Sequence, residues 1–218
     1  MKLRAKAILT SMIVAGSLYA GGDVVPVAPV APVNANECGT GFYVGAGAAI
    51  QRMYGGKSSW TSYEKGQDKT VPLLGILGYK FNCYLAVEGR VSQTVYEEDY
   101  ADILTYSFFV KPMYPVTEDI NIYALIGYGV VDAEYTDGRA PAPKNLIGQT
   151  IVDKGAFQWG FGASYDITEN WSIFADYTML MYEQSVPARP LYFDDVPAGR
   201  TWDHISDDSI NVGVTYSF

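Results

Sequence analysis

Residues 210–218 read INVGVTYSF, and nothing in the stretch breaks its alternation. Ile210, Val212, Val214, Tyr216 and Phe218 fall on one side; Asn211, Gly213, Thr215 and Ser217 fall on the other. A period of two residues is the mark of a β-strand. The polar side is the informative one. A soluble sheet turns Lys, Glu and Arg to water, whereas this polar side is small and uncharged. Such residues suit a crowded interior, which leaves the apolar side facing outward. Outward apolar strands ending in aromatic rings fit a lipid boundary.

The same alternation recurs upstream. Strands are expected at 41–51 (GFYVGAGAAIQ), 71–81 (VPLLGILGYKF), 84–92 (YLAVEGRVS) and 103–114 (ILTYSFFVKPMY). Others are expected at 120–131 (INIYALIGYGVV), 156–165 (AFQWGFGASY) and 171–182 (WSIFADYTMLMY), with 210–218 closing the set. The second of these is apolar on both faces, so its register stays open. In the sixth, Gln158, Gly160, Gly162 and Ser164 again make a small polar side. Connections alternate in length. Asn82-Cys83, PVTED (115–119) and DITEN (166–170) are short, while roughly 53–70, 93–102, 132–153 and 183–206 are longer. VTEDINI and ITENWSI read as one turn design used twice, rich in Asp, Asn and Thr.

In hydrocarbon each unpaired backbone N–H or C=O costs several kcal/mol, so strands span a membrane only in a sheet that closes on itself. The expected fold is therefore all-β: an eight-stranded antiparallel up-and-down transmembrane β-barrel with short periplasmic turns and longer extracellular loops. On this reading the last strand pairs with the first and needs no polar tail. Trp159, Tyr165, Trp171, Tyr177, Tyr216 and Phe218 are the candidate aromatic girdle.

The rest of the chain agrees. Lys2, Arg4 and Lys6 precede an apolar run from Ala7 to Val14 and small residues up to Ala20. Residues 1–20 therefore read as a secretory signal peptide, shorter than the ~20 apolar residues of a spanning helix. Residues 21–37, with Pro26, Pro29 and Pro32, read as a Pro/Val/Ala periplasmic spacer, and 38–218 as the barrel. Charged residues make up 18% of the chain, below the ~25% usual in soluble domains. A net charge of −9 excludes a typical nucleic-acid binder. An exported barrel of this kind belongs in the bacterial outer membrane.

GYKFNCYLAVEGRV (78–91) and FVKPMYPVTEDINIYALIGYG (109–129) resemble the transmembrane barrel of OmpA and the wider opacity-type small-porin family. The resemblance covers about residues 41–218. OmpA proper continues into a peptidoglycan-binding domain, and that function is not carried over. Glu88 and Lys111 match positions that are charged lumen residues in OmpA; its two other charged partners are replaced by Phe174 and Ser164. The aromatic-ended last strand resembles the signal by which barrel-assembly machinery recognises its clients. Outer-membrane lipids, lipopolysaccharide and a surface ligand on the loops are the other expected partners.

Parity places Glu88, Arg90, Lys111 and Asp176 in the lumen. A lone buried ion is severely unfavourable, so a network of ion pairs is expected there. Cys38 and Cys83 fall at the periplasmic rim and are candidates for a disulfide in that oxidising compartment. His204 and Ser206 form an H-x-S pair similar to that of the lipid A deacylase barrel, with Asp203, Asp207 or Asp208 standing in for its acid. A lone His near a loop is more often a surface residue. No metal-spaced cluster, phosphate loop or nucleophile elbow appears, so no cofactor or metal is expected. The long loops carry Tyr54, Trp60, Tyr63, Tyr96, Tyr100, Tyr135, Tyr192 and Trp202. Their acids are Glu97, Glu98, Asp99 and Asp102 in one, and Asp194, Asp195, Asp203, Asp207 and Asp208 around another. The expected role is structural and surface-displaying, with a narrow porin and a lipid-A-modifying enzyme as alternatives.

Overall fold

The computed structural model describes residues 39–55, 60, 67–97, 101–136, 147–190 and 201–218. Its strands are β1 (Gly41–Tyr54), β2 (Gln67–Asn82), β3 (Leu85–Glu97), β4 (Ala101–Pro115), β5 (Ile120–Tyr135), β6 (Thr150–Asp166), β7 (Trp171–Pro190) and β8 (Thr201–Ser217). Each pairs antiparallel with the next, and β1 pairs with β8 to close the barrel. The closing register runs from Tyr43↔Ser217 to Tyr54↔Ser206. The expected signal peptide, the Pro/Val/Ala spacer and Cys38 lie outside the described residues.

The apolar sides face outward. Phe42, Leu77, Phe108, Tyr128, Phe157, Phe161 and Val212 are each more than half exposed, a pattern a soluble surface does not sustain. The open register of β2 is settled: Leu73 and Leu77 face out, while Leu74 and Ile76 are buried inside.

The short turns repeat as their sequences do. Val116 N–H donates to Ile120 C=O at 2.8 Å, and Ile167 N–H donates to Trp171 C=O at 2.8 Å. Thr117 Oγ1 accepts from Ile120 N–H at 2.9 Å, and Thr168 Oγ1 accepts from Trp171 N–H at 3.0 Å. A Thr hydroxyl thus caps the turn in both copies. Asn82 Oδ1 does the same work between β2 and β3, accepting from Tyr84 N–H at 2.7 Å.

At the other end the strands outrun the sequence-based boundaries. β1 continues to Tyr54, β3 to Glu97, β5 to Tyr135 and β7 to Pro190, all within stretches expected to be loop. The reason is an inversion of pattern. Spanning needs ~9–11 residues per strand, yet these run from 13 to 20. Beyond the membrane the barrel obeys soluble rules. Ile103, Val131, Ala133, Ile151 and Met181 are buried inside, while Glu134 and Asp153 face water. Ladder pairing between β6 and β7 runs from Asp166↔Ser172 to Trp159↔Met179. Above that point β7 stays with β8, through irregular register up to Pro190↔Thr201, with Glu183 at a left-handed φ of 42°.

Candidate functional site

Glu88 and Arg90 on β3, Lys111 on β4 and Asp176 on β7 converge inside the barrel, each less than a tenth exposed. Arg90 grips Asp176 with both Nη atoms, at 3.1 and 2.8 Å, and its Nε donates to Glu88 Oε1. Lys111 Nζ donates to Glu88 Oε2 at 2.8 Å. Two cations balance two anions, so the layer is neutral. The remaining lone pairs are met too. Tyr43 O–H donates to Glu88 at 2.7 Å, Tyr123 O–H to Asp176 at 2.8 Å and Asn211 Nδ2 to Asp176 at 2.7 Å. Full satisfaction of this kind is what makes a buried ion cluster tolerable.

Aromatic rings complete the layer. Phe109 and Phe174 lie 5.7 and 5.8 Å from the Arg90 guanidinium, and Tyr123 lies 4.1 Å from Lys111 Nζ. Register explains how these rings fit. Tyr43 pairs with Gly78, Phe109 with Gly127 and Phe174 with Gly213. A Cβ on Gly78 would stand 2.1 Å from the Tyr43 ring, and one on Gly213 would stand 2.7 Å from Phe174. The missing side chain on one strand is the space the ring takes from the next.

Above the ions sits a belt of hydroxyls and amides: Ser92, Thr105, Ser107, Thr178, Ser209 and Asn211, around a void of about 10 Å³. Above that, Met53, Ile103, Val131, Tyr135, Ile151, Leu180, Met181 and Ile205 form an apolar cluster with several alanines. This outer part of the lumen is mixed: beside the hydrocarbon, Gln51, Asp68, Thr70 and Asp207 are buried, with Gln51 Nε2 donating to Asp207 and Ala101 N–H donating to Asp68, each at 2.8 Å. Below the ions a vestibule of about 410 Å³ opens toward the short turns.

One ion pair faces the other way. Arg52 on β1 and Asp208 on β8 are directly paired, on the face that Ile50 and Ile210 present to lipid. Arg52 Nε and Nη2 donate to Asp208 at 2.9 and 2.6 Å, and Tyr177 O–H adds a bond at 2.9 Å. The Tyr54 and Trp60 ring centroids lie 4.3 and 4.4 Å from the guanidinium. Both ions are nearly inaccessible, at 5% and 1%. Ten residues of tilted strand above Phe42 raise this pair by about 25 Å, the height of the outer headgroup boundary.

Other sequence-derived residues fall as follows. Tyr165, Trp171, Tyr216 and Phe218 lie beside the short turns, with Trp171–Tyr216 and Tyr216–Phe218 ring contacts at 5.1 and 5.2 Å. Trp159 and Tyr177 touch each other at 5.9 Å, each six residues further along its strand from Tyr165 and Trp171. Asp207 and Asp208 are buried strand residues, not loop acids, because β8 begins at Thr201. Asp203 also lies in β8. His204 and Ser206 do not combine. Ser206 Oγ accepts from Glu183 N–H at 3.0 Å, and His204 Nε2 lies 3.4 Å from Ser185 Oγ, exposed. Cys83 is buried in the first short turn. Tyr63, Glu98, Asp99, Tyr100, Tyr192, Asp194 and Asp195 lie outside the described residues. The sequence reading missed Tyr43, Tyr123 and Asn211 as lumen partners and Arg52 as an outward ion. Tyr43 and Asn211 stood on the small polar sides of their strands, which was the available signal.

The chain matches the outer membrane protein beta-barrel domain family over residues 24–218. The virulence membrane protein PagC of Salmonella typhimurium is 23% identical over 146 residues, covering 67% of this chain and 77% of PagC. The Neisserial surface protein A structure superposes with a TM-score of 0.55 at 15% identity, covering 83% of this chain and 99% of that one. Ail of Yersinia pestis, solved with the heparin analogue sucrose octasulfate, gives 0.51 at 19% identity, covering 82% and 99%. This chain belongs to the outer-membrane β-barrel family and resides in the bacterial outer membrane.

Proposed function

We propose that this outer-membrane barrel is a closed, non-enzymatic structural element that displays its long outer hairpins for surface contacts. The observation that carries this reading is the stacking of two seals in one lumen. The ion layer of Glu88, Arg90, Lys111 and Asp176 fills the cross-section below, and the Met53–Ile103–Met181 cluster, with buried Gln51, Asp68 and Asp207 beside it, fills it above. The void between them, about 10 Å³, holds about one water, too little for a conducting file. Planar-bilayer recording of purified protein tests this. A flat baseline is expected; steady ohmic steps would establish a narrow porin instead.

Catalysis is not part of the proposal, because His204 lies against Ser185 on an exposed surface and Ser206 is engaged elsewhere. Acyl release from lipid A that is lost in His204→Ala would reverse that judgement. Partners follow from the surroundings: outer-membrane lipids, lipopolysaccharide, the assembly machinery at the Phe218 strand, and a ligand on the hairpins. A sulfated polyanion like that in the Ail structure is not proposed, since the outer strand ends here present Asp102, Asp132, Glu134 and Asp153.

A further inference from the structure

We propose that the periplasmic vestibule binds a small zwitterion, a free amino acid or short peptide, with its carboxylate inward and its ammonium at the mouth. The cavity of about 410 Å³ is in the range of small-ligand sites. Its charges are sorted by depth. Lys111 forms part of the floor beside Tyr43 and Phe174, and Lys80 stands in the wall. The two lysines flank Ala86 in one cross-strand row, Lys80↔Ala86↔Lys111, so their backbones are about 10 Å apart. Lys111 spends one N–H on Glu88, and an ammonium has three to give. Lys80 is half-buried and, among the described residues, has no ion-pair partner.

The mouth has the opposite sign. Glu118 and Glu169 are exposed on the turns, without ion-pair partners among the described residues, and Asp166 lies beside them. Asp166 is already held by Ser172 Oγ at 2.5 Å and Asn121 Nδ2 at 3.4 Å, which leaves the two glutamates as the free anionic side chains of the lining. Neutral hydrogen-bonding groups, Ser164, Thr215 and Ser217 among them, line the remaining wall. A simple anion would be repelled at the entrance, and a simple cation finds no seat inside. A molecule carrying both charges, entering carboxylate first, meets a partner at each end.

The test uses the full chain refolded in a non-ionic detergent, titrated with trialanine and followed by amide NMR shifts. Trialanine should saturate in the millimolar range. Blocking its carboxylate as the amide, or its amine by acetylation, should weaken binding about fivefold each, the scale of one partly exposed ion pair. Lys80→Gln, which leaves Lys111 as the one lysine of the pocket, should cut the advantage of the free carboxylate. Glu118→Gln with Glu169→Gln, both at exposed turn positions, should abolish the advantage of the free amine. Lys154→Gln, at the far end, should change nothing. Absence of saturation, equal binding of a blocked peptide, or unchanged binding by Lys80→Gln would each overturn the proposal.

Discussion

Arg52 and Asp208 meet on the lipid-facing side of the strand pair that closes the barrel, Nη2 to Oδ2 at 2.6 Å. Each comes from a different end of the chain, so the bond bridges the seam itself. Tyr177, Tyr54 and Trp60 exclude water from it. Removing one partner of a buried pair leaves an uncompensated charge, at a cost of about 3–5 kcal/mol. Asp208→Ala should therefore lower the urea midpoint of the barrel sharply, read as loss of the compact band on an unheated gel. Arg52→Met with Asp208→Leu should recover most of that loss, since the matched apolar pair leaves no orphaned ion.

Glu88 is the hinge of the lumen charge balance. It accepts from Arg90, Lys111 and Tyr43, while Asp176 answers to Arg90, Tyr123 and Asn211. Glu88→Gln leaves two cations over one carboxylate. Destabilisation of about 3 kcal/mol is expected. Lys111→Met in the same chain should restore part of it by returning the layer to neutrality. A urea series on the four combinations gives the coupling directly.

Glycine spacing under the lumen rings is equally exacting. A Cβ at Gly78 meets the Tyr43 ring, and that ring cannot retreat without losing its bond to Glu88. Gly78→Val should cost more than about 2 kcal/mol. Gly148 has open space around it, but its φ of 78° disfavours any side chain, so Gly148→Ala should cost about 1 kcal/mol through the backbone alone. Parallel melting curves of the two variants separate crowding from backbone strain.

Cys83 is buried at the periplasmic rim, two residues before β3 begins. A bond to Cys38 should make the intact protein lighter by two hydrogens and unreactive to alkylation until reduced. Cys38→Ser with Cys83→Ser should fold but unfold at lower urea, because closing a loop of this length restricts the unfolded chain by roughly 3–4 kcal/mol at most.

The membrane part of this fold was legible because its code is binary. INVGVTYSF needs only the parity of its residues and the smallness of its polar side to declare which face meets lipid. VPLLGILGYKF defeated the same reasoning: Leu73 and Leu74 are chemically alike, and only the glycine-bearing neighbours decide which one goes inside. Lumen charges were readable for a related reason, since Glu88, Arg90, Lys111 and Asp176 sit where lipid cannot be. Their tyrosine bonds were not, because Tyr43 reaches Glu88 and Tyr123 reaches Asp176 from two strands away, a relation that depends on barrel curvature rather than on parity. The outer strand ends were misread as loop because beyond the membrane the apolar side turns inward, and alternation across that switch looks like irregularity.

Ladder pairing of β6 with β7 stops at Trp159↔Met179, and that of β1 with β8 stops at Tyr54↔Ser206. Beyond both limits the described part of the β7–β8 ribbon, from Ser185 to Pro190 and from Thr201 to His204, has only its own two legs for a ladder. Insertions, deletions and substitutions there leave every other strand's registration untouched. Selection by a changing environment can thus rewrite this tower while the cylinder beneath it is inherited intact.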